Sequence, residues 1–154
     1  MSKVVTGKTV PAFSLPGTGG KWKLSDAKGK HLVIYFYPRD NTAGCTTETA
    51  GFRDAYPQFK KAGTEVAGIS TDSLASHEKF KAKLKLPFEL LSDEEKTVSE
   101  LFAVYKEKSM YGRKYMGIER STFLIDDKGV LRHEWRKVKV PGHVDEVLAA
   151  AREL

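Results

Sequence analysis

Cys45 is the one cysteine in the sequence, and it lies in the segment YFYPRDNTAGCTTE. A lone thiol cannot close a disulfide within the chain and offers too few ligands for a structural zinc site. Chemistry at Cys45 must run through its own sulfur, as a thiolate nucleophile. The competing reading is a small buried hydrophobe, the usual fate of an isolated free cysteine. The neighbouring residues decide between the two.

His31 to Tyr37 reads HLVIYFY, an apolar and β-branched run that predicts a buried central strand. Pro38 has no amide proton for a sheet ladder and ends it. Arg39 to Gly44 then has the composition of a polar turn. Beyond it, Phe52, Ala55, Tyr56, Phe59 and Ala62 recur at helical spacing. Cys45 is therefore placed where a loop after a buried strand becomes a helix. The first turn of a helix offers unpaired N–H groups and the positive end of the dipole, which favour a thiolate. Gly51 and Pro57 fall inside the helical pattern, and a break or kink is expected there.

Pro38, Thr42 and Cys45 fit Pro-x-x-x-Thr-x-x-Cys, and this string resembles the active-site signature of the peroxiredoxins. YFYPRDNTAGCTTE, AGTEVAGISTDS, ELLSDEEKTVSELF and GIERSTFLIDDKG are similar to the bacterioferritin comigratory protein branch, also called PrxQ. The likeness runs from FSLPGTGG to the C-terminal helix. It implies that Cys45 is the peroxidatic cysteine, oxidised by peroxide to a sulfenic acid. By the same resemblance, the Thr42 hydroxyl would bond the thiolate and the incoming peroxide. Pro38 would shield the site from bulk water. Arg120 matches the second active-site position, where its permanent charge favours the thiolate and stabilises the departing oxygen. Glu48 resembles the carboxylate that orients this arginine.

The chain departs from the branch in two places. A resolving cysteine often lies five residues after the peroxidatic one, where this chain has Ala50, or on the next helix near Lys81. Neither is cysteine, so a one-cysteine member is expected. Ala43 stands where proline usually precedes Gly-Cys, which leaves the loop less preorganised.

The remaining pattern alternates strand and helix. Ala12 to Leu15 and Trp22 to Leu24 flank PGTGG as a short N-terminal hairpin. Glu65 to Ser70 predicts another buried strand, followed by a helix from about Ser73 to Leu84. Ser92 with Glu95 reads as a capping box opening a helix through Phe102. Ser121 to Asp126 and Val130 to Trp135 flank Asp127-Lys128-Gly129 as a hairpin. Val144, Val147, Leu148 and Ala151 stripe a final helix. The expected class is α/β, a mixed central sheet flanked by helices in one domain of 154 residues. The resemblance specifies the thioredoxin-like fold with peroxiredoxin additions, to which the N-terminal hairpin read from the residues is joined.

The net charge of +6 and pI near 9.3 raise nucleic acid as a partner. Arg132, Arg136, Lys137 and Lys139 gather near Trp135, and Lys106, Lys108, Arg113 and Lys114 near Tyr111 and Tyr115. With 20 acids among 26 bases, solvated faces explain them better, and no nucleic-acid partner is expected. His31, His77, His133 and His143 show no ligand spacing and read as surface or half-buried residues, so neither metal nor cofactor is expected. No Cys-x-x-Cys exists for disulfide exchange. The segment MSKVVTGKTV lacks an apolar core of signal-peptide length, and no run nears the roughly 20 apolar residues that span a bilayer. A cytoplasmic, monomeric enzyme without a membrane partner is expected. Its substrates would be hydrogen peroxide and organic hydroperoxides, and its reductant thioredoxin or glutathione with glutaredoxin. The alternative is a redox-responsive sensor or chaperone-like binding module using the same cysteine.

Overall fold

The computed structural model describes residues 3–154, so the first two residues of the N-terminal segment lie outside it. In chain order the strands are β1 (Ser14–Gly17), β2 (Gly20–Lys23), β3 (His31–Phe36), β4 (Thr64–Ser70), β5 (Glu89–Ser92), β6 (Tyr105–Met110), β7 (Arg113–Ile118), β8 (Ser121–Ile125) and β9 (Leu131–Trp135). The α-helices are α1 (Ala43–Lys61), α2 (Leu74–Leu84), α3 (Thr97–Leu101) and α4 (His143–Arg152). Seven strands form one mixed sheet in the order β2-β1-β5-β4-β3-β8-β9, and β6 with β7 forms a separate hairpin.

The apolar run in β3 reflects burial on both faces. Leu32, Ile34 and Phe36 pack in one cluster with Phe102, Phe123 and Ile125. Val33, Tyr35 and Tyr37 face the other cluster, with Phe52 and Phe59 of α1, Phe80 of α2 and Val147 of α4. Parallel pairing of β3 with β4 and of β4 with β5 needs crossovers, which α1 and α2 supply. Antiparallel β8 flanks β3 on its other edge, with Ile34 opposite Phe123. The end of β3 and the end of α1 that carries Cys45 therefore lie at one rim of the sheet.

The expected break in α1 does not occur; the helix runs unbroken through Gly51 and Pro57. An interior proline costs roughly 3 kcal/mol. Burying a phenylalanine contributes roughly 1.5–3 kcal/mol, and fully buried Phe52 and Phe59 lie on either side of Pro57. At Gly51 a Cβ would come within 3.0 Å of Val144 Cγ2, so the missing side chain lets α4 lie close.

The capping box at Ser92 is also corrected. Ser92 ends β5 and donates its hydroxyl to the Asp72 carbonyl at 2.6 Å. Asp93 instead accepts from the Val98 and Ser99 amides at 3.3 and 2.6 Å, and α3 begins only at Thr97. Pairing with β4 wins because it buries both Leu90 and Leu91 completely. The charge cluster of Lys106, Lys108, Arg113 and Lys114 lies on the β6–β7 hairpin. Its turn, Tyr111-Gly112, has two positive φ angles, as a two-residue hairpin loop requires.

Candidate active site

Cys45 is the third residue of α1, and the first helical bond runs from the Thr46 amide to the Thr42 carbonyl at 2.9 Å. The amides of residues 43 to 45 thus precede the helical ladder at the positive end of the dipole. Thr42 occupies the N-cap, yet its side chain caps nothing. Its hydroxyl donates to the Arg39 carbonyl at 3.0 Å, where a bond to the thiol was expected. In this arrangement the first-turn amides stay uncovered by the cap residue. Pro38 is half-buried and follows β3 by two residues.

Helical periodicity aims Cys45, Glu48, Thr49 and Phe52 inward, and all four are buried. Arg120 comes from the short link between β7 and β8, far away in sequence. Its Nη2 donates to Cys45 Sγ at 3.3 Å, and its Nη1 donates to Glu48 Oε1 at 2.6 Å. At Gly44 a Cβ would stand 3.2 Å from Arg120 Nη2, so glycine makes room for the guanidinium over the helix end.

Burial pushes the Glu48 carboxyl up to about 7, against the pull of Arg120. Its second oxygen, Oε2, is buried with no hydrogen-bond partner. Burial also works against the Arg120 charge, but Glu48 and Cys45 outweigh it and hold the guanidinium protonated. The fork therefore remains a cation at every relevant pH and spans carboxylate and sulfur together.

Two histidines read as surface or half-buried are in fact buried. His143, at the start of α4, shares a 2.8 Å hydrogen bond with Thr122 Oγ1, and burial lowers its pKa to about 4. His77 of α2 places Nδ1 2.7 Å from Asp40 Oδ2 and Nε2 2.9 Å from the Leu91 carbonyl. Both neighbours are acceptors, and each ring nitrogen is aligned to donate to its own when it carries the proton. Tyr37 and Ser76 donate to the same Asp40 carboxylate at 2.6 and 2.8 Å, and the Asp40 amide donates to Asp72. Asp40, Asp72 and His77 come close enough together to suggest a metal cluster. Their ligand atoms are instead engaged in these hydrogen bonds, which tie the Cys45 loop to α2 and β5. Sequence spacing held no signal for this network, because its members come from separate elements.

Two of the four basic residues around Trp135 are spent internally. Arg132 pairs with Asp126, and Arg136 pairs with Glu134 and donates to the Phe102 and Ala103 carbonyls.

A buried thiol at a helix start, bridged by arginine to a carboxylate, invites comparison with known proteins. The AhpC/TSA family profile matches residues 6–134. The chain belongs to this family. Its peroxiredoxin relatives include a Coxiella burnetii putative peroxiredoxin Bcp, 51% identical over 94% of this chain and 97% of that protein. Peroxiredoxin Bcp of Bacillus subtilis is 50% identical over 96% of this chain and 95% of its own. Among solved structures, Xylella fastidiosa PrxQ superposes with a TM-score of 0.93 at 41% identity, covering 99% of this chain and 98% of that one. A bacterioferritin comigratory protein of Xanthomonas campestris, solved to explain its alkyl peroxide reduction activity, gives 0.87 at 47% identity, over 92% and 90% of the two chains. The peroxiredoxin fold and branch anticipated from the sequence are both right: the mixed sheet with flanking helices is the thioredoxin-like fold of these relatives. Peroxiredoxins are thiol-dependent peroxidases, and this chain is one of them.

Proposed function

We propose that Cys45 is the peroxidatic thiol of this peroxidase and that Arg120, Glu48, Thr42 and Pro38 serve it. The observation that carries this reading is the single guanidinium bridging Cys45 Sγ and the buried Glu48 carboxylate. The thiolate attacks one peroxide oxygen, the O–O bond breaks, and sulfenic acid forms as water or an alcohol leaves. Arg120 stabilises the thiolate and the charge on the departing oxygen. Glu48 holds the guanidinium in place. The first-turn amides of α1 face the same developing charge, and the Thr42 hydroxyl turns from Arg39 to the bound peroxide. Pro38 screens the loop entrance.

Hydrogen peroxide and small organic hydroperoxides fit this site, the latter in line with the alkyl peroxide activity of the Xanthomonas relative. An external thiol completes the cycle, because Ala50 and Lys81 occupy the two places where the resemblance puts a resolving cysteine. Thioredoxin, or glutathione with glutaredoxin, fills that role for a monomer working in the cytoplasm, where a lone thiol stays reduced. No helix among the described residues is long and apolar enough to cross a membrane.

The test is steady-state peroxide consumption with dithiothreitol by wild type and Cys45→Ser, paired with dimedone trapping and intact mass. Turnover by wild type alone, with one dimedone adduct on Cys45, is expected. Activity persisting in Cys45→Ser would displace Cys45 from its role. A trap-resistant, thiol-reversible product of doubled mass would replace the external resolver with a Cys45–Cys45 disulfide between chains.

A further inference from the structure

The β6–β7 hairpin is tethered beside the thiol. β7 ends at Ile118, two residues before Arg120, and Glu119 both receives Lys106 Nζ at 3.4 Å and donates its amide to Val104 at 2.7 Å. Cross-strand pairs share a face of an antiparallel ladder, as do alternate residues. The pairs Lys106–Gly117, Lys108–Tyr115 and Met110–Arg113 therefore form one face. On that face Lys108 is half-buried, and its stem folds back toward the base of the hairpin. A Cβ on Gly117 would lie 3.5 Å from Lys108 Cδ and 3.8 Å from Cε. Gly117 stands three residues before Arg120, so the lysine stem lies over the end of the strand that leads into the arginine.

The other lysines on these two strands are paired, Lys106 with Glu119 and Lys114 with Glu107. Among the described residues Lys108 has neither an ion-pair partner nor a hydrogen-bonded one. Burial and the neighbouring Arg120 charge lower its pKa, while Cys45 and Glu119 pull the other way. A second, unpaired cation beside an arginine already committed to Glu48 raises the local concentration of anions. Peroxide is neutral and gains little from it. The species that attacks oxidised Cys45 is a thiolate, and its remaining charges set how it responds.

We propose that Lys108 is a specificity-determining residue for the reducing thiol, favouring anionic thiols over neutral and cationic ones at oxidised Cys45. This rests on the peroxidase reading above and names the chemistry of its second substrate. In the first step the thiolate sulfur forms an S–S bond to Cys45, the S–O bond breaks, and the oxygen leaves as water after taking up a proton. A second thiolate then attacks the outer sulfur, releasing the oxidised disulfide and returning Cys45 as thiolate. Two thiols thus lose the two electrons that reduce the sulfenic sulfur.

The experiment oxidises Cys45 with one equivalent of hydrogen peroxide, then measures reduction by 3-mercaptopropionate, 2-mercaptoethanol and cysteamine, with rates expressed per thiolate. In wild type the anionic thiol should be fastest and the cationic one slowest. The spread should narrow as salt rises from low to high ionic strength. The ratio of anionic to cationic rates on one protein is the readout, so a general loss of activity does not enter it. Lys108→Gln should reduce that ratio by about fivefold, the scale of one partly exposed charge contact. Lys108→Glu should lower it further. Charge-blind reduction by wild type, or a ratio unchanged in both variants, would overturn the assignment of Lys108. Failure of Cys45 to oxidise at all would instead sink the peroxidase reading, so the two failures are separable.

Discussion

Arg120 and Cys45 stand 75 residues apart in sequence, and Arg120 Nη2 meets Cys45 Sγ at 3.3 Å. The same guanidinium is pinned by Glu48 one turn along the helix that carries the thiol. Position and charge are thus supplied together. Arg120→Ala should keep the fold and slow Cys45 oxidation by about 10²-fold or more. Arg120→Lys keeps the charge but loses the fork, and should recover only part of the rate. Stopped-flow oxidation of both variants checks this; near-wild-type rates in both would reassign the arginine's role.

Thr42 gives a sharper contrast between shape and hydroxyl. Its Oγ1 donates to the Arg39 carbonyl and caps no amide of α1. Thr42→Val preserves bulk and removes the donor, so peroxide reduction should fall by about tenfold, the value of one hydrogen bond to a charged group. Thr42→Ser should stay near wild type. Equal losses in the two variants would point to packing rather than to the hydroxyl.

Glu48 and His143 oppose each other in the pH dependence of stability. Burial lifts Glu48 from 4.5 to about 7, so the native state binds more protons than the unfolded chain between those values. Its stabilising contribution is complete below about 4.5 and is lost as pH rises through 7. His143 is lowered from 6.5 to about 4, and its contribution is lost as pH falls through that window. Glu48→Gln should therefore make the protein gain stability from pH 5 to pH 7 more steeply than wild type, by on the order of 1–3 kcal/mol. His143→Asn should do the reverse. Urea unfolding midpoints at the two pH values are the measurement, and parallel shifts in all three proteins would dismiss both assignments.

The buried pair of Asp40 and His77 lies under the loop that leads to Cys45. Removing one partner strands the other, a loss typically of 3–5 kcal/mol. Both Asp40→Asn and His77→Gln should lose stability on that scale in chemical denaturation. Amide exchange should also quicken in residues 39–45 before other parts of the chain. A loss of under about 1 kcal/mol in either would mean that solvent replaces the partner.

Local pattern reached far into this protein. The apolar run of β3, the turn residues after it and the inward spacing of Cys45 with Phe52 reported a helix start behind a buried strand. The Pro38, Thr42 and Cys45 spacing carried the family, and Arg120 and Glu48 could be named as partners from it. Those signals are short-range, because periodicity and turn chemistry are read within one element. Tertiary structure decided what depends on contacts between elements. Pro57 stays inside an unbroken α1 because Phe52 and Phe59 bury against the sheet. Ser92 gave up a plausible cap because pairing with β4 buries Leu90 and Leu91. The direction of the Thr42 hydroxyl, the two acceptors on His77 and the Lys108 stem laid over Gly117 arise from residues brought together by folding. A linear pattern holds no distance between such groups, and hydrogen bonds and charges act only once that distance exists.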